Sequence, residues 1–164
     1  MEKIKRILAP TDLSELSQAG VRRALEMADS QGAEVIAYHV ISYEEVSLPY
    51  EGSYTESIGR WLPQERKKLL AEFFRENFSD VIGKATVRQE IEVGVPYDRI
   101  VEKAAAEKVD MIVMSTHGRT GLLHMLIGSV TEKVVRRAAC PVLTIRPTKR
   151  EEGAERIASG SARR

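Results

Sequence analysis

The sequence predicts an α/β fold: a doubly wound, open sheet of five parallel strands with helices on both faces. Three observations predict it. Short apolar runs suited to covered strands alternate along the chain with longer segments whose apolar residues recur at helical spacing. The intervening segments are long enough to be crossovers, which parallel neighbours require and which are right-handed. Finally, Ser115-Thr116-His117-Gly118-Arg119-Thr120-Gly121, followed by Gly128-Ser129-Val130-Thr131-Glu132, reads as a glycine-rich junction from a buried strand into a helix. In such sheets ligands sit at the carboxyl ends of the strands, where strand order reverses.

Ile4 to Ala9 reads as the first strand and Pro10-Thr11-Asp12-Leu13-Ser14 as the turn after it. Leu16, Gly20, Val21, Ala24, Leu25 and Ala28 then repeat at helical spacing, with Asp12 or Ser14 available as N-cap, and Gln31-Gly32 ends the helix. Ala33 to Val40 is the second strand. From Ile41 to Leu62 the periodicity fails, and Tyr43, Tyr50, Tyr54 and Trp61 lie among Pro49, Gly52, Gly59 and Pro63. A connection this long is expected to be a functional lid or partly disordered, its aromatics half buried. Gln64 to Phe78 reads as a helix with Leu69, Leu70, Phe73 and Phe74 on one side. Ala85 to Val93 alternates Val87, Ile91 and Val93 with charged residues, as a strand near the sheet edge does. Pro96 suits the first turn of a helix from Tyr97 to Lys108, with Ile100, Val101, Ala104 and Ala105 inside.

Asp110-Met111-Ile112-Val113-Met114 is the fourth strand. After the glycine loop, Val130, Val134, Val135 and Ala138 mark a last helix, and Ser129 with Glu132 has the S-x-x-E form of a capping box. Pro141 to Ile145 is a closing strand whose proline fits an edge position. The domain is expected to span residues 1–147, with 148–164 a disordered polar tail. The turns after strands one, two and four become the ligand-binding candidates together.

Charge is balanced, 25 Lys and Arg against 24 Asp and Glu for a net +1, so no global field selects nucleic acid or an acidic substrate. The single cysteine, Cys140, cannot form an internal disulfide and reads as a buried small hydrophobe. No apolar run approaches the roughly 20 residues that span a bilayer, and the N-terminus lacks a signal-peptide core. The expected address is the cytoplasm.

The physics of the glycine loop is specific. Glycines let backbone approach a ligand closely, while the first amides of a helix have no intrahelical partner and lie at the positive end of the helix dipole. Together they form an anion site. Over Lys3 to Arg146 the chain resembles the universal stress protein family. The matching residues are Ile7-Leu8-Ala9-Pro10-Thr11-Asp12, His39-Val40, and Gly118, nine residues, Gly128 and Ser129, as in G-x2-G-x9-G-[ST]. Where the motif has its first glycine, this chain has Ser115. The resemblance implies a Rossmann-like fold of the adenine nucleotide α-hydrolase type and, in its ATP-binding branch, one mononucleotide at the switch point. It places Pro10, Thr11 and Asp12 at the adenosine portion, Val40 at the adenine through its backbone, and Ser115, Gly118, Gly128, Ser129, Val130 and Thr131 around the phosphates, with Met114 also in the site. It further implies a homodimer through Val142–Ile145, whose strand edge would otherwise be unpaired.

Simpler roles compete for several of these residues. Asp12 is either an N-cap or a ligand contact, and Ser129 either a cap or a phosphate contact. A loop-rigidifying hydrogen bond is expected of His117, structural roles of His39 and His124, and either a phosphate contact or a solvated charge of Arg119. No His/Cys/Asp cluster has metal spacing, so a divalent ion such as magnesium would come with the phosphates. Three functions follow: an ATP-holding stress or signalling protein acting through ligand-dependent conformation, an ATPase or phosphotransferase, and an interaction module without nucleotide. The absence of a G-x-x-x-x-G-K-[ST] loop ranks turnover below holding.

Overall fold

A computed structural model describes residues 3–47, 56–82, 85–118 and 127–147. Along the chain these form β1 (Arg6–Pro10), a 3-10 turn (Glu15–Ser17), α1 (Gln18–Gln31), β2 (Glu34–Ile41), α2 (Tyr43–Ser47), α3 (Glu56–Phe78), β3 (Thr86–Val93), α4 (Pro96–Ala106), β4 (Met111–Ser115), α5 (Ser129–Arg137) and β5 (Val142–Ile145). The strands make one parallel sheet in the order β3-β2-β1-β4-β5. Strand order reverses at β1, so the open end between β2 and β4 lies beyond the carboxyl end of β1.

Strand periodicity sends alternate residues to opposite faces, and both faces are apolar as a doubly covered sheet requires. Ile7, Ala9, Val35, Ala37 and Val113 pack with Val21 and Leu25 of α1 and Phe73, Phe74 and Phe78 of α3. Leu8, Ile36, Tyr38, Ile112 and Met114 pack on the other face with Ile100 and Ala104 of α4 and Val134 of α5. Gly20 brings α1 down onto β4: a Cβ there would lie 2.6 Å from the Met114 carbonyl carbon. α1 ends as expected at Gly32, whose φ of 65° glycine takes without strain.

β3 carries Arg88, Glu90 and Glu92 on the α4 face, where the helix covers an edge strand with charge rather than with apolar bulk. Arg88 reaches Glu34 at 3.2 Å and Glu107 at 2.8 Å, and Arg6 reaches Glu34 at 2.8 Å, joining three strands and α4. The hydrogen bond from Arg88 holds the Glu107 carboxyl below its ordinary range. Burial alone would lower the Lys103 ammonium, but its bonds to Glu90 and Glu92 outweigh that and raise it. Such a network, unlike an isolated surface pair, has shared geometry to stabilise it.

Several expectations need correction. The segment after Ile41 is not without structure, because Ser42 and Glu45 form a capping box: the Glu45 amide donates to Ser42 Oγ and the Ser42 amide to Glu45 Oε1, both at 3.3 Å. α3 starts at Glu56, eight residues before the expected Gln64. Gly59 and Pro63 hid those turns, yet a proline removes only one backbone bond, here to Gly59, and the helix continues across it. On the expected inner face of α4, Ala105 is exposed and Val101 only half-buried, and Leu69 of α3 and Val135 of α5 are exposed as well. Cys140 is half-buried too, packed against the α4 and α5 side of the core, and burial pushes its thiol up. The expected tail at 148–164, and Pro49, Tyr50, Gly52 and Tyr54, lie outside the described residues.

Candidate functional site

The turn after β1 is built from side-chain hydrogen bonds. Asp12 Oδ1 accepts from the Ser14 amide at 3.1 Å and from Ser14 Oγ at 2.6 Å. Ser14 Oγ in turn caps the 3-10 turn by accepting from the Ser17 amide at 3.2 Å. Of the two N-cap candidates, Ser14 therefore takes the cap, and Asp12 shapes the loop before it. The loop is tight enough to hold Leu13 at φ 64°, a left-handed conformation that costs a non-glycine residue about 1–2 kcal/mol. Its position is fixed from β2, since the Thr11 amide donates to Tyr38 O and His39 Nδ1 lies 2.9 Å from Thr11 O. A carbonyl only accepts, so Nδ1 carries the proton, and His39 is structural as expected.

Across the gap lies the glycine junction. A methyl group at Gly118 would sit 3.0 Å from Asp12 Cγ and closer still to its Oδ2, so glycine is what lets the two turns meet. The Gly128 amide donates to Thr116 O at 2.7 Å, and a Cβ at Gly128 would press on that oxygen at 3.1 Å. His117 Nδ1 pairs with Thr116 Oγ1 at 3.0 Å, the rigidifying bond expected of it. Arg119, Thr120, Gly121 and His124 fall outside the described residues.

The capping box expected at Ser129 and Glu132 does not form. Gly128 takes the N-cap position with φ −70° and ψ 154°, Ser129 becomes the first helical residue, and Glu132 bonds Arg136 instead. Gly128 has no side chain, so the first amides of α5 receive no hydrogen bond from their cap residue. Ser115, standing at the motif's glycine position, uses its hydroxyl elsewhere: Oγ accepts from the Gly20 amide in α1 at 2.9 Å, in the buried interior. Thr131 Oγ1 donates to Ser115 O at 2.9 Å, joining α5 to the end of β4.

These pieces enclose one cavity of about 540 Å³ beyond the carboxyl ends of the strands. Pro10, Thr11, Asp12, Val40, Met114, Ser115, Gly118, Gly128, Ser129, Val130 and Thr131 all line it. That volume lies within the 300–1,000 Å³ range of sites for small ligands. Its floor includes fully buried Tyr38, whose phenol is held well above its ordinary range by burial first and by the Glu92 carboxylate second.

Sequence reasoning missed other parts of the lining. Gly94 and Val95, between β3 and α4, with Pro96 and Tyr97 of the first turn of α4, close one side, held by the Gly94 amide on Ile41 O at 2.9 Å. Tyr43, Glu44 and Glu45 of α2 form another wall, tied to α3 by Glu45 and Arg66 at 2.8 Å. The S-x-x-E pattern at Ser42 was the available signal for that wall. Tyr43 is 52% exposed, at the rim rather than packed. Lys133 is the single lysine or arginine among the described lining residues.

A parallel open sheet with a cavity at its switch point, bounded by the first turn of a helix and close-packed glycines, defines a doubly wound α/β domain, a class whose ligand sites lie at the carboxyl ends of the strands. The chain belongs to the universal stress protein family, whose model matches residues 3–146. It is 38% identical over 148 residues to Universal stress protein MJ0531 of Methanocaldococcus jannaschii, covering 90% of this chain and 85% of that one. It is similar also to MJ0577 of the same organism, whose solved structure is 33% identical with a TM-score of 0.70, covering 90% of this chain and 99% of that one. Universal stress protein UspA from Lactobacillus plantarum aligns at a TM-score of 0.74 and 25% identity, over 89% of this chain and all of that one.

Proposed function

We propose that this universal stress protein binds an adenine nucleotide, ATP among them, and acts through the conformation the ligand stabilises rather than through turnover. The observation that supports it is the convergence of all eleven residues of the Asp12, Val40 and glycine-loop turns on one cavity. Uncapped α5 amides suit phosphate, while the Val40 side of the cavity, next to buried Tyr38 and Ile100, suits a base. Relatives of this fold have been solved with cAMP and with AMP, at 22% and 20% identity. At that distance they share the fold, and the lining of this cavity carries the reading. A magnesium ion would ride on the phosphates.

No described helix is long and apolar enough to cross a membrane. A cytoplasmic address is a separate part of the proposal and goes with the family reading. The experiment is direct titration of the purified chain with ATP and AMP by calorimetry, with mass spectrometry for copurifying nucleotide. Asp12→Asn keeps the Oδ1 acceptor and removes the charge, so it is expected to fold normally and to change affinity; a well-folded wild type with no adenine nucleotide affinity would refute the reading and favour the interaction module. Steady hydrolysis lost in that variant would instead place turnover first.

Assembly through the last strand is the second element of the reading. β5 is an edge, and Val142, Leu143, Thr144 and Ile145 are all only half-buried. We expect a homodimer across this edge, with Leu143→Asp giving monomers in sedimentation velocity. A dimer unaffected by that charge would place the interface on another surface.

A further inference from the structure

We propose that Lys133 reads the phosphate nearest the ribose, so that this site discriminates 5′-phosphorylated adenosine from adenosine itself. The inference rests on the nucleotide reading above and specifies what the α5 side of the cavity recognises. Lys133 lies one helical turn beyond Ser129, on the element that offers amides to the phosphates. Its ammonium sits 4.4 Å from the centroid of the Tyr97 ring, on the element that follows the Gly94 turn beside Val40. The head group therefore links the α5 side of the cavity to its Tyr97 side, between the elements proposed for phosphate and for base.

Its neighbours on α5 are committed to other groups. Arg136 pairs with Glu132 at 3.0 Å, and Arg137, 4.7 Å from the same Tyr97 ring, is held by Asp98 at 2.8 Å. Lys133 has no ion pair among the described residues, and its other attraction, to an aromatic face, is weak when exposed. An incoming phosphate offers a charge-assisted hydrogen bond that the ring does not. Elsewhere the lining carries Asp12, Glu44 and Glu45, so without Lys133 the described lining would hold carboxylates alone as formal charges. Sequence alone gave no warning, because a lysine on the surface of a helix reads as a solvated charge.

The test is calorimetric titration of wild type, Lys133→Gln and Lys133→Arg with adenosine, AMP and ATP. In Lys133→Gln, adenosine affinity is expected to stay within about twofold while AMP affinity falls roughly fivefold to tenfold, with Lys133→Arg restoring much of it. The salt dependence of AMP binding should weaken in parallel, and the thermal midpoint should not move. A helix-to-helix clip on Tyr97 would shift stability and affect adenosine and AMP alike. An unchanged ratio of AMP to adenosine affinity in Lys133→Gln overturns the inference while leaving nucleotide binding intact. A wild type that binds neither ligand refutes the nucleotide reading itself, and this inference with it.

Discussion

Gly20→Ala is expected to destabilise the domain by about 2–3 kcal/mol, in the opposite direction to helix propensity. Alanine in place of glycine inside a helix ordinarily gains about 1 kcal/mol. Here the new Cβ would lie 2.5 Å from the Ser115 nitrogen, 2.6 Å from the Met114 carbonyl carbon and 2.8 Å from Met114 Cα. All three are backbone atoms of β4, which is hydrogen-bonded to β1 on one side and β5 on the other and has no room to yield. Relief requires α1 to lift, which weakens the packing of Val21, Ala24 and Leu25 on the sheet and stretches the bond from the Gly20 amide to Ser115 Oγ. Urea denaturation decides the matter by sign: a higher midpoint for Gly20→Ala would mean that propensity governs and that α1 is not held as closely as the geometry requires. Because Ser115 also borders the cavity, nucleotide affinity should fall with stability.

That close approach also explains the one departure from the family's glycine pattern. Ser115 adds a hydroxyl where the motif has hydrogen, and the hydroxyl turns to an amide in the first turn of α1, a group that no i−4 carbonyl serves. Glycine at position 20 and serine at position 115 thus form a matched pair across the helix and sheet contact. Neither residue announces this alone, since their separation of 95 residues is bridged only by the fold.

The sheet was legible because its strands are short apolar runs, and the periodicity of α1, α4 and α5 located those helices within a few residues. The inner face of α4 was read less well at Ala105, which lies on the rim of an apolar stripe where sequence spacing cannot say how far the neighbouring layer extends. The first turns of α3 were masked by Gly59 and Pro63, residues whose local preference is overridden by the turns that follow. The candidate site was legible where it follows a strand end with a motif. It was not legible at Gly94 to Tyr97 and at α2, which enter the cavity only because β3 pairs with β2 and because Ser42 starts a helix. Of the two readings of Ser129 the cap did not hold: Gly128, whose amide bonds Thr116 O, occupies the N-cap position, and Ser129 is the first helical residue.

Gly118→Ala is expected to damage the site far more than the fold. The added methyl would displace the Asp12 carboxylate, and Asp12 is not free to swing aside at no cost, because its Oδ1 holds both the amide and the hydroxyl of Ser14. Rotating it away gives up those two bonds, each worth about 1 kcal/mol net, on a turn that already carries Leu13 at positive φ. The core is untouched, so the melting midpoint should fall only modestly, while ATP affinity drops by about tenfold to a hundredfold, equivalent to roughly 1.4–2.7 kcal/mol. A double-mutant cycle separates collision from any effect on loop entropy. In an Asp12→Ala background the obstructing carboxylate is gone, and Gly118→Ala should then cost little further stability. Equal stability costs in both backgrounds would show that the two turns do not touch as the geometry has them. With the coupling present, Asp12 and Gly118 act as one unit, in which glycine provides the space that the carboxylate occupies at the edge of the cavity.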